Sequence, residues 1–178
     1  MITVIIGATV LIAGTVAAVN YNSLVKGRNK CEEAFSTIDV YLKKRFDLIP
    51  NLVSTVKGYA SHEAKTLEKV VAARNLGITG QMENEKKISS ALKSIFALSE
   101  NYPNLKADTN FMELQKQLKS IEEDIAQARK YYNGCVREYN NRVTMFPSNI
   151  VAGIFRFKKM PMLQMENSEE RKNVTVTF

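Results

Sequence analysis

Histidine is almost absent from this sequence, which limits the catalytic chemistry that it can support. The one histidine is His62, and the residues after it, EAKTL, do not complete the HExxH pattern of a zinc site. A Ser–His relay is equally unsupported. Neither GxxxxGK[ST] nor GxGxxG occurs, so no phosphate-binding loop is recognisable. We expect His62 on a helix surface, and we expect no enzyme activity, metal site or cofactor.

Cysteine is also scarce. Cys31 and Cys135 are too few and too far apart to form a CxxC-type metal or redox motif. Both fall on the apolar seams described below, where a small thiol packs like other apolar side chains. We therefore expect two buried thiols rather than a functional disulfide.

Clustered basic charge of the kind that binds nucleic acid is missing. The net charge of +7 is spread along the chain, because residues 21–60 carry 7 bases and 4 acids while residues 101–147 carry 7 and 6. Such mixing is typical of a solvated helix surface, and no basic stripe is interleaved with aromatic residues. We expect no nucleic-acid partner and assign the surplus charge to attraction by anionic lipid.

A long uncharged stretch, MITVIIGATVLIAGTVAAV, opens the sequence. It has the length of roughly 17 to 25 residues that a spanning helix needs. A signal peptide would carry bases before its apolar part, and none is found there, so we interpret residues 1–20 as a single transmembrane anchor. The candidate membrane-interface bases are Lys26, Arg28 and Lys30. Because they all follow the stretch, the protein is expected in the cell membrane with its bundle in the cytoplasm.

Apolar residues recur at three- and four-residue steps from Leu24 to about Leu76, which predicts helix. The one interruption is Pro50, which either kinks a long helix or begins a second, because proline lacks the N–H and clashes with the preceding turn. Gly77 and Gly80 then end the segment, since glycine tolerates the left-handed helix stop.

Two further helices are predicted. A shorter one covers about residues 83–99 and ends before the loop NYPNL. A longer one begins near Asn110, which caps it together with Glu113, and its apolar seam keeps heptad register to Phe146. Such a stripe requires partner helices at a crossing angle of roughly 20°. We expect an all-α fold in which the N-terminal transmembrane helix precedes an antiparallel four-helix bundle over residues 21–147.

The sequence changes character in its last part, residues 148–178. Ser148 or Asn149 can cap a short apolar helix, and bases follow it. Apolar and basic residues together favour an interfacial segment; the alternative is that the apolar residues cover the end of the bundle. The candidate membrane-interface residues here are Ile154, Phe155 and Phe157. The final VTVTF alternates like an extended strand.

Several charged residues fall in register with the apolar seams or beside them, namely Arg28, Arg45, Arg129 and Arg142. A buried charge requires a partner, because an uncompensated ion in a core costs several kcal/mol or so. The acids that we expect as partners are Asp39, Asp47 and Glu122. We interpret such pairs as setting the helix register, in preference to forming a binding pocket.

Two blocks of this sequence resemble a known family. YNSLVKGRNKCEEAFSTIDVYLKKRFDLIPNLVSTVKGYASHE resembles the signature of the LemA family, and ARKYYNGCVREYNNRVTMFPSNIVAG resembles its second hallmark. The ending NVTVTF also fits, whereas the central helix and KKMPMLQMENS are only loosely family-like. The resemblance implies a bacterial membrane protein with an N-terminal anchor and an antiparallel four-helix bundle, and it implies no chemistry. The matching polar residues, implied to be structural or partner-binding, are Asn22, Arg28, Asn29, Asp39, Arg45, Asp47, Asn51, His62, Glu63, Arg129, Asn133 and Asn140.

Two functions fit these features. The first is a non-enzymatic interaction module or adaptor that holds another membrane or peripheral protein at the bilayer. Its candidate partner-binding residues, Val176, Thr177 and Phe178, alternate like peptides that strand-adding pockets capture. The second is a membrane-organising protein that presses onto lipid and shapes the bilayer, with self-assembly into a homo-oligomer as part of that hypothesis. We favour the first.

Overall fold

The computed structural model describes residues 1–77 and 82–163, and all regular secondary structure in these ranges is helical. The elements in chain order are α1 (Ile2–Tyr59), α2 (Ala64–Gly77), α3 (Met82–Ser99), α4 (Pro103–Lys106), α5 (Thr109–Thr144) and α6 (Ser148–Ile154). The chain divides into two compact units. Unit 1 consists of Met1–Ile38 and Gln127–Phe178, and unit 2 consists of Asp39–Ala126.

The first part of α1 is the uncharged stretch of the sequence. It contains a segment of 18 residues with a mean hydropathy of 2.4, and none of that segment is buried. Among the described residues, α1 is the one helix that is long and apolar enough to cross a membrane. The expected N-terminal apolar helix is therefore present.

Helix α1 continues through Pro50, so this proline does not begin a second helix. Proline offers no N–H, which deprives the carbonyl four residues earlier, that of Phe46, of its usual helical donor. In unit 2 the Nε–H of Arg74 donates to this carbonyl at 3.3 Å. The side chain of Arg74 thus compensates for the donor that Pro50 lacks.

The break in the first helical stretch lies at residues 60–63, between α1 and α2. The prediction of continuous helix to about Leu76 was wrong at this point. His62 lies in this turn and is exposed, rather than on a helix surface as expected.

The helix starts also differ from the predicted caps. The carboxylate of Asp108 accepts a hydrogen bond from the backbone N–H of Phe111 at 2.8 Å, which makes Asp108 the cap of α5. Asn110, the predicted cap, lies inside the helix. Helix α6 has Pro147 at its cap position and no side-chain cap, whereas Ser148 is its first residue. The NYPNL segment, predicted as a loop, contains the short helix α4.

The buried apolar side chains of unit 2 form one continuous core, to which α1, α2, α3, α4 and α5 all contribute. Its members are Ile49, Leu52, Val56, Ala60, Leu67, Val70, Ala73, Ile88, Leu92, Ile95, Leu105, Phe111 and Leu118. Burying a large apolar side chain contributes about 1.5 to 3 kcal/mol, so these residues dominate the stability of the unit. Tyr59, expected on the apolar seam, is instead 44% exposed.

Unit 1 is built on close packing between the first part of α1 and the last part of α5. A Cβ added at Gly27 would lie 3.3 Å from a ring atom of Tyr139, so this glycine permits the approach. Cys31 and Cys135 are buried and form no disulfide, as expected. Burial raises the pKa of the Cys31 thiol. Phe35, expected to be buried, is half exposed and lies edge-on to Tyr132 with ring centroids 5.7 Å apart.

Candidate functional sites

Two asparagines of α5 bind the main chain of the segment that follows α6. We call this segment, residues 157–163, the arm. Asn140 donates from Nδ2 to the carbonyl of Met160 and accepts from its N–H, both at 2.9 Å. Asn133 makes the same two bonds with Leu163, both at 2.8 Å. Each asparagine therefore holds one residue of the arm by both of its backbone polar groups.

The spacing of these contacts follows from helix and strand geometry. Asn133 and Asn140 are seven residues apart, which is roughly 10.5 Å along a helix at 1.5 Å per residue. Met160 and Leu163 are three residues apart, which is about 10 Å in extended chain. The two distances match, so an extended backbone fits along α5. The Tyr132 hydroxyl adds a bond to the carbonyl of Pro161 at 3.2 Å.

Aromatic residues join the start of the arm to α1. The ring of Tyr21 lies 4.7 Å from that of Phe155 and 5.7 Å from that of Phe157, measured between centroids. Phe157 is half-buried by these contacts, whereas Ile154 is 70% and Phe155 is 55% exposed. Of the three apolar candidates for the membrane interface, two are therefore free to contact lipid.

A cleft of about 680 Å³ opens in unit 1 between α1, α5 and the first residues of the arm. Four bases line it, against one acid, Glu32. The bases are Arg28, Arg156, Lys158 and Lys159. Because positively charged side chains outnumber the single acid around this open cavity, the cleft can attract an anion.

Arg28 does not lie in the apolar seam as the sequence suggested. Its side chain is 57% exposed and pairs with Glu32 one turn later, with Nε and Oε1 at 2.9 Å. Hydrogen bonding to this carboxylate raises the pKa of Arg28. The neighbouring interface candidates, Lys26 and Lys30, are also exposed, and Lys30 Nζ lies 3.6 Å from Oε2 of Glu138.

Arg142 connects the end of α5 to α1. Its Nη1 donates to the Ser23 hydroxyl at 2.9 Å and to the Ser23 carbonyl at 3.2 Å, while Nη2 pairs with Glu138 at 2.7 Å. Arg129, expected beside the seam, is buried. Both arginines thus contribute to the packing of unit 1.

In unit 2 the buried arginine Arg45 is paired with Glu122. Nη1 lies 2.7 Å from Oε2 of Glu122, and the arginine side chain is 2% exposed while the glutamate side chain is 45% exposed. Ser89 bridges the pair, accepting from Arg45 and donating to Glu122, both at 3.3 Å. Arg45 follows Ile38 by seven residues and precedes Leu52 by seven, so it occupies an apolar heptad position.

The other predicted partners are not brought to this arginine. Asp39 and Asp47 are both exposed, and so is Asn51, which the family resemblance implied to be structural or partner-binding. Asp47 instead lies 3.6 Å from Lys43 on the helix surface. The predicted C-terminal tip, Val176, Thr177 and Phe178, lies outside the described residues.

Asp108 links the start of α5 to the end of α1. It accepts a hydrogen bond from the Tyr59 hydroxyl at 2.8 Å, in addition to its bond from the N–H of Phe111. The bond from the N–H of Phe111 is the main cause of a lowered pKa for Asp108, and the bond from Tyr59 lowers this pKa further. The hydrogen bond to Asp108 in turn raises the pKa of Tyr59. Across residues 1–77 and 82–163, no group of three or more His, Cys, Asp or Glu side chains is placed to hold a metal ion.

A second open cavity, of about 250 Å³, lies between α3 and α5 in unit 2. We call it the α3–α5 groove. Its apolar part comes from Leu92, Phe96 and Leu118, and two exposed lysines, Lys93 and Lys119, line it. The sequence did not indicate this groove, because its apolar residues fit the helix seams and predict ordinary core positions.

The chain is similar to the LemA family and to several individual proteins. The model of the LemA family matches residues 34–178. Protein LemA of Metamycoplasma hominis is 24% identical over 164 residues, covering 84% of this chain and 75% of that protein. Magnetosome protein MamQ 2 of Paramagnetospirillum magneticum is 22% identical, with 87% and 68% covered, and magnetosome protein MamQ of Magnetospirillum gryphiswaldense is 23% identical, with 82% and 65% covered. Because the family model spans most of its length, the chain belongs to the LemA family.

Proposed function

We propose that this LemA family protein is a non-enzymatic interaction module, or adaptor, held at the bacterial cell membrane by the apolar part of α1. A single pass with a cytoplasmic bundle is part of this proposal, and it is supported by the bases that follow the apolar stretch, Lys26, Arg28 and Lys30. None of the most hydropathic segment of α1 is buried by the protein. Transfer of this apolar surface from water into the bilayer is therefore favourable.

An antiparallel four-helix arrangement is also proposed, and contacts within unit 2 support it. The turn at residues 60–63 joins the end of α1 to the start of α2, while Arg74, near the end of α2, bonds to Phe46 far back in α1. Asp108 likewise reaches Tyr59, and Glu122, further along α5, reaches Arg45. Both α2 and α5 therefore run back along α1.

The observation that carries the adaptor role is the α3–α5 groove. Leu92 and Leu118 of its lining are buried in the core, and the half-buried Phe96 is the apolar side chain that the groove, with its volume of about 250 Å³, offers to a partner. Glu122, at its edge, already pairs with Arg45, so Lys93 and Lys119 give the groove a positive balance. We infer a membrane or peripheral protein partner whose binding segment combines apolar residues with flanking acids.

Reversing the groove charges tests this role. In cells, the full-length K93E/K119E variant should lose a crosslinked partner that the unchanged protein retains, because its groove would repel the partner's acids. The matched control is K86E/K87E, which makes the same charge change on exposed residues of α3 outside the groove. If both variants retain the same partners, or both lose them, the groove is not the binding surface.

A membrane-organising function is the second candidate, and exposed apolar residues around α6 favour it. Five large apolar side chains within eleven residues are exposed: Met145, Phe146, Ile150, Ile154 and Phe155. Side chains of this type enter the interfacial layer of a bilayer. Full-length protein reconstituted into vesicles should then change their size distribution, and the I154S/F155S variant should not. Crosslinking of the chain only to itself would favour this function over the adaptor.

A further inference from the structure

The geometry points to the cationic cleft of unit 1 as a binding site for the phosphate of an anionic lipid headgroup. This inference rests on the proposed membrane anchoring, and it adds a defined site with named residues to the general attraction between basic charge and anionic lipid. Four bases and one acid line a cavity of about 680 Å³, which is large enough for a phosphate with its attached glycerol. Arginine and lysine are the residues that bind phosphate most strongly.

The cleft lies where a lipid headgroup would be. The apolar stretch ends at Val19, and Tyr21, the first cleft residue, is roughly 3 Å further along the helix at 1.5 Å per residue. Headgroup layers extend about 5 to 8 Å beyond the hydrocarbon on each side. Tyrosine is also enriched at this depth, because its ring is apolar and its hydroxyl is polar. A spanning α1 therefore places the entrance of the cleft beside lipid phosphates.

Arg156 provides a second, independent observation. Its backbone has φ 57°, in the left-handed region that favours glycine. It is the second residue after α6, and the N–H of Phe157 beyond it donates to the carbonyl of Ala152 at 2.9 Å, as in a glycine-terminated helix. A non-glycine residue in this conformation is strained. The residue in this strained position is an arginine that lines the cleft, where its positive charge can contact an anion.

Both walls of the cleft are held in place. On one side Arg28 is fixed by its bond to Glu32, and on the other the Tyr21 ring contacts both Phe155 and Phe157, which flank Arg156. Arg28 and the main chain that carries Arg156 are thus held in place before a ligand arrives, which reduces the entropy that binding costs.

Direct binding of lipid to the full-length chain tests the site. We expect fluorescent phosphatidylglycerol, but not phosphatidylcholine, to bind the protein in neutral detergent micelles at low salt. R156Q should weaken this affinity roughly fivefold, the effect of one base near an anionic surface. R156G should weaken it similarly while keeping or raising the melting temperature, because glycine relieves the backbone conformation. A loss of binding in R156G is therefore not a loss of folding.

The control is R137Q, which makes the same change at an exposed arginine of unit 1 outside the cleft. R137Q should retain nearly full affinity. Equal weakening by R137Q and R156Q would mean diffuse surface attraction and would overturn the site. Competition by inorganic phosphate as strong as that by phosphatidylglycerol would show a site for free phosphate rather than lipid. Carbonate extraction of cell membranes tests the anchor separately, and crosslinking of R156Q tests the adaptor role separately.

Discussion

Replacing Arg74 of α2 by methionine should destabilise unit 2, because it removes a hydrogen bond to the main chain of α1. Pro50 cannot donate to the carbonyl of Phe46, and the Nε–H of Arg74 donates to it instead. Methionine keeps most of the apolar stem but removes the donor. Leaving a half-buried carbonyl without a partner costs about 1 to 3 kcal/mol. For a chain of this size each kcal/mol lowers the melting temperature by roughly 2 to 4 °C.

The P50A substitution shows whether this mechanism is correct. Alanine restores the backbone N–H within α1, so the carbonyl of Phe46 regains its helical donor. In the P50A background we expect R74M to cost less than about 1 kcal/mol, the net value of an ordinary hydrogen bond. The coupling between the two positions is thus expected to be about 0.5 to 3 kcal/mol, as for residues in contact, although the two lie on different helices.

Thermal unfolding of four full-length proteins in detergent micelles, followed by circular dichroism at a helical wavelength, measures this coupling. The four are the unchanged chain, R74M, P50A and P50A/R74M. K69M, on the exposed face of the same helix, serves as the control and should leave the melting temperature unchanged. An equal loss from R74M in both backgrounds would refute the reasoning, since Arg74 would then act independently of Pro50.

Three further outcomes follow from the contacts described. N140A should increase hydrogen exchange in the arm, because two main-chain bonds are lost, whereas N141A on the exposed neighbouring position should not. The pKa of Asp108 is lowered in the folded state, so the contribution of its carboxylate to folding stability is complete above its ordinary pKa of 3.8 and is lost as the pH falls through the lowered pKa. D108N should therefore flatten the acid side of a curve of stability against pH. E122Q should destabilise the chain more than R45M/E122Q, because E122Q alone leaves a buried guanidinium without its carboxylate, and the reverse order in melting temperature would contradict this.

The sequence was sufficient to predict the long helices and most of their buried faces, because both depend on local spacing. In α5, Phe111, Leu118 and Ile125 repeat every seven residues and are all buried. The same register identified Arg45 as a charge among apolar positions, and the requirement that buried charge be paired led to Glu122. Asp39 and Asp47 met the same requirement in composition, but both are exposed on α1, the helix of Arg45 itself, whereas Glu122 reaches the arginine from α5.

Features that depend on contacts between distant residues could not be predicted in this way. The turn at residues 60–63 contains no glycine or proline, and apolar residues continue at helical spacing from Val56 and Ala60 to Leu67. Periodicity therefore gave no sign of a break. The arm was equally hidden, because Asn133 and Asn140 are ordinary polar residues of a helix until an extended segment lies beside them. Their seven-residue spacing was the one available signal.

The asparagine contacts and the cationic cleft are physically linked. Met160 is bound by Asn140 and also lines the cleft, while the contact of Phe155 with Tyr21 fixes the other end of the same stretch. The main chain that carries Arg156, Lys158 and Lys159 is therefore held at both ends, so less backbone freedom is lost when these bases bind a phosphate. N140A leaves every charge of the cleft unchanged, yet it should weaken the binding of phosphatidylglycerol because one end of this wall is released. An unchanged affinity in N140A would mean that the aromatic contacts alone position these bases.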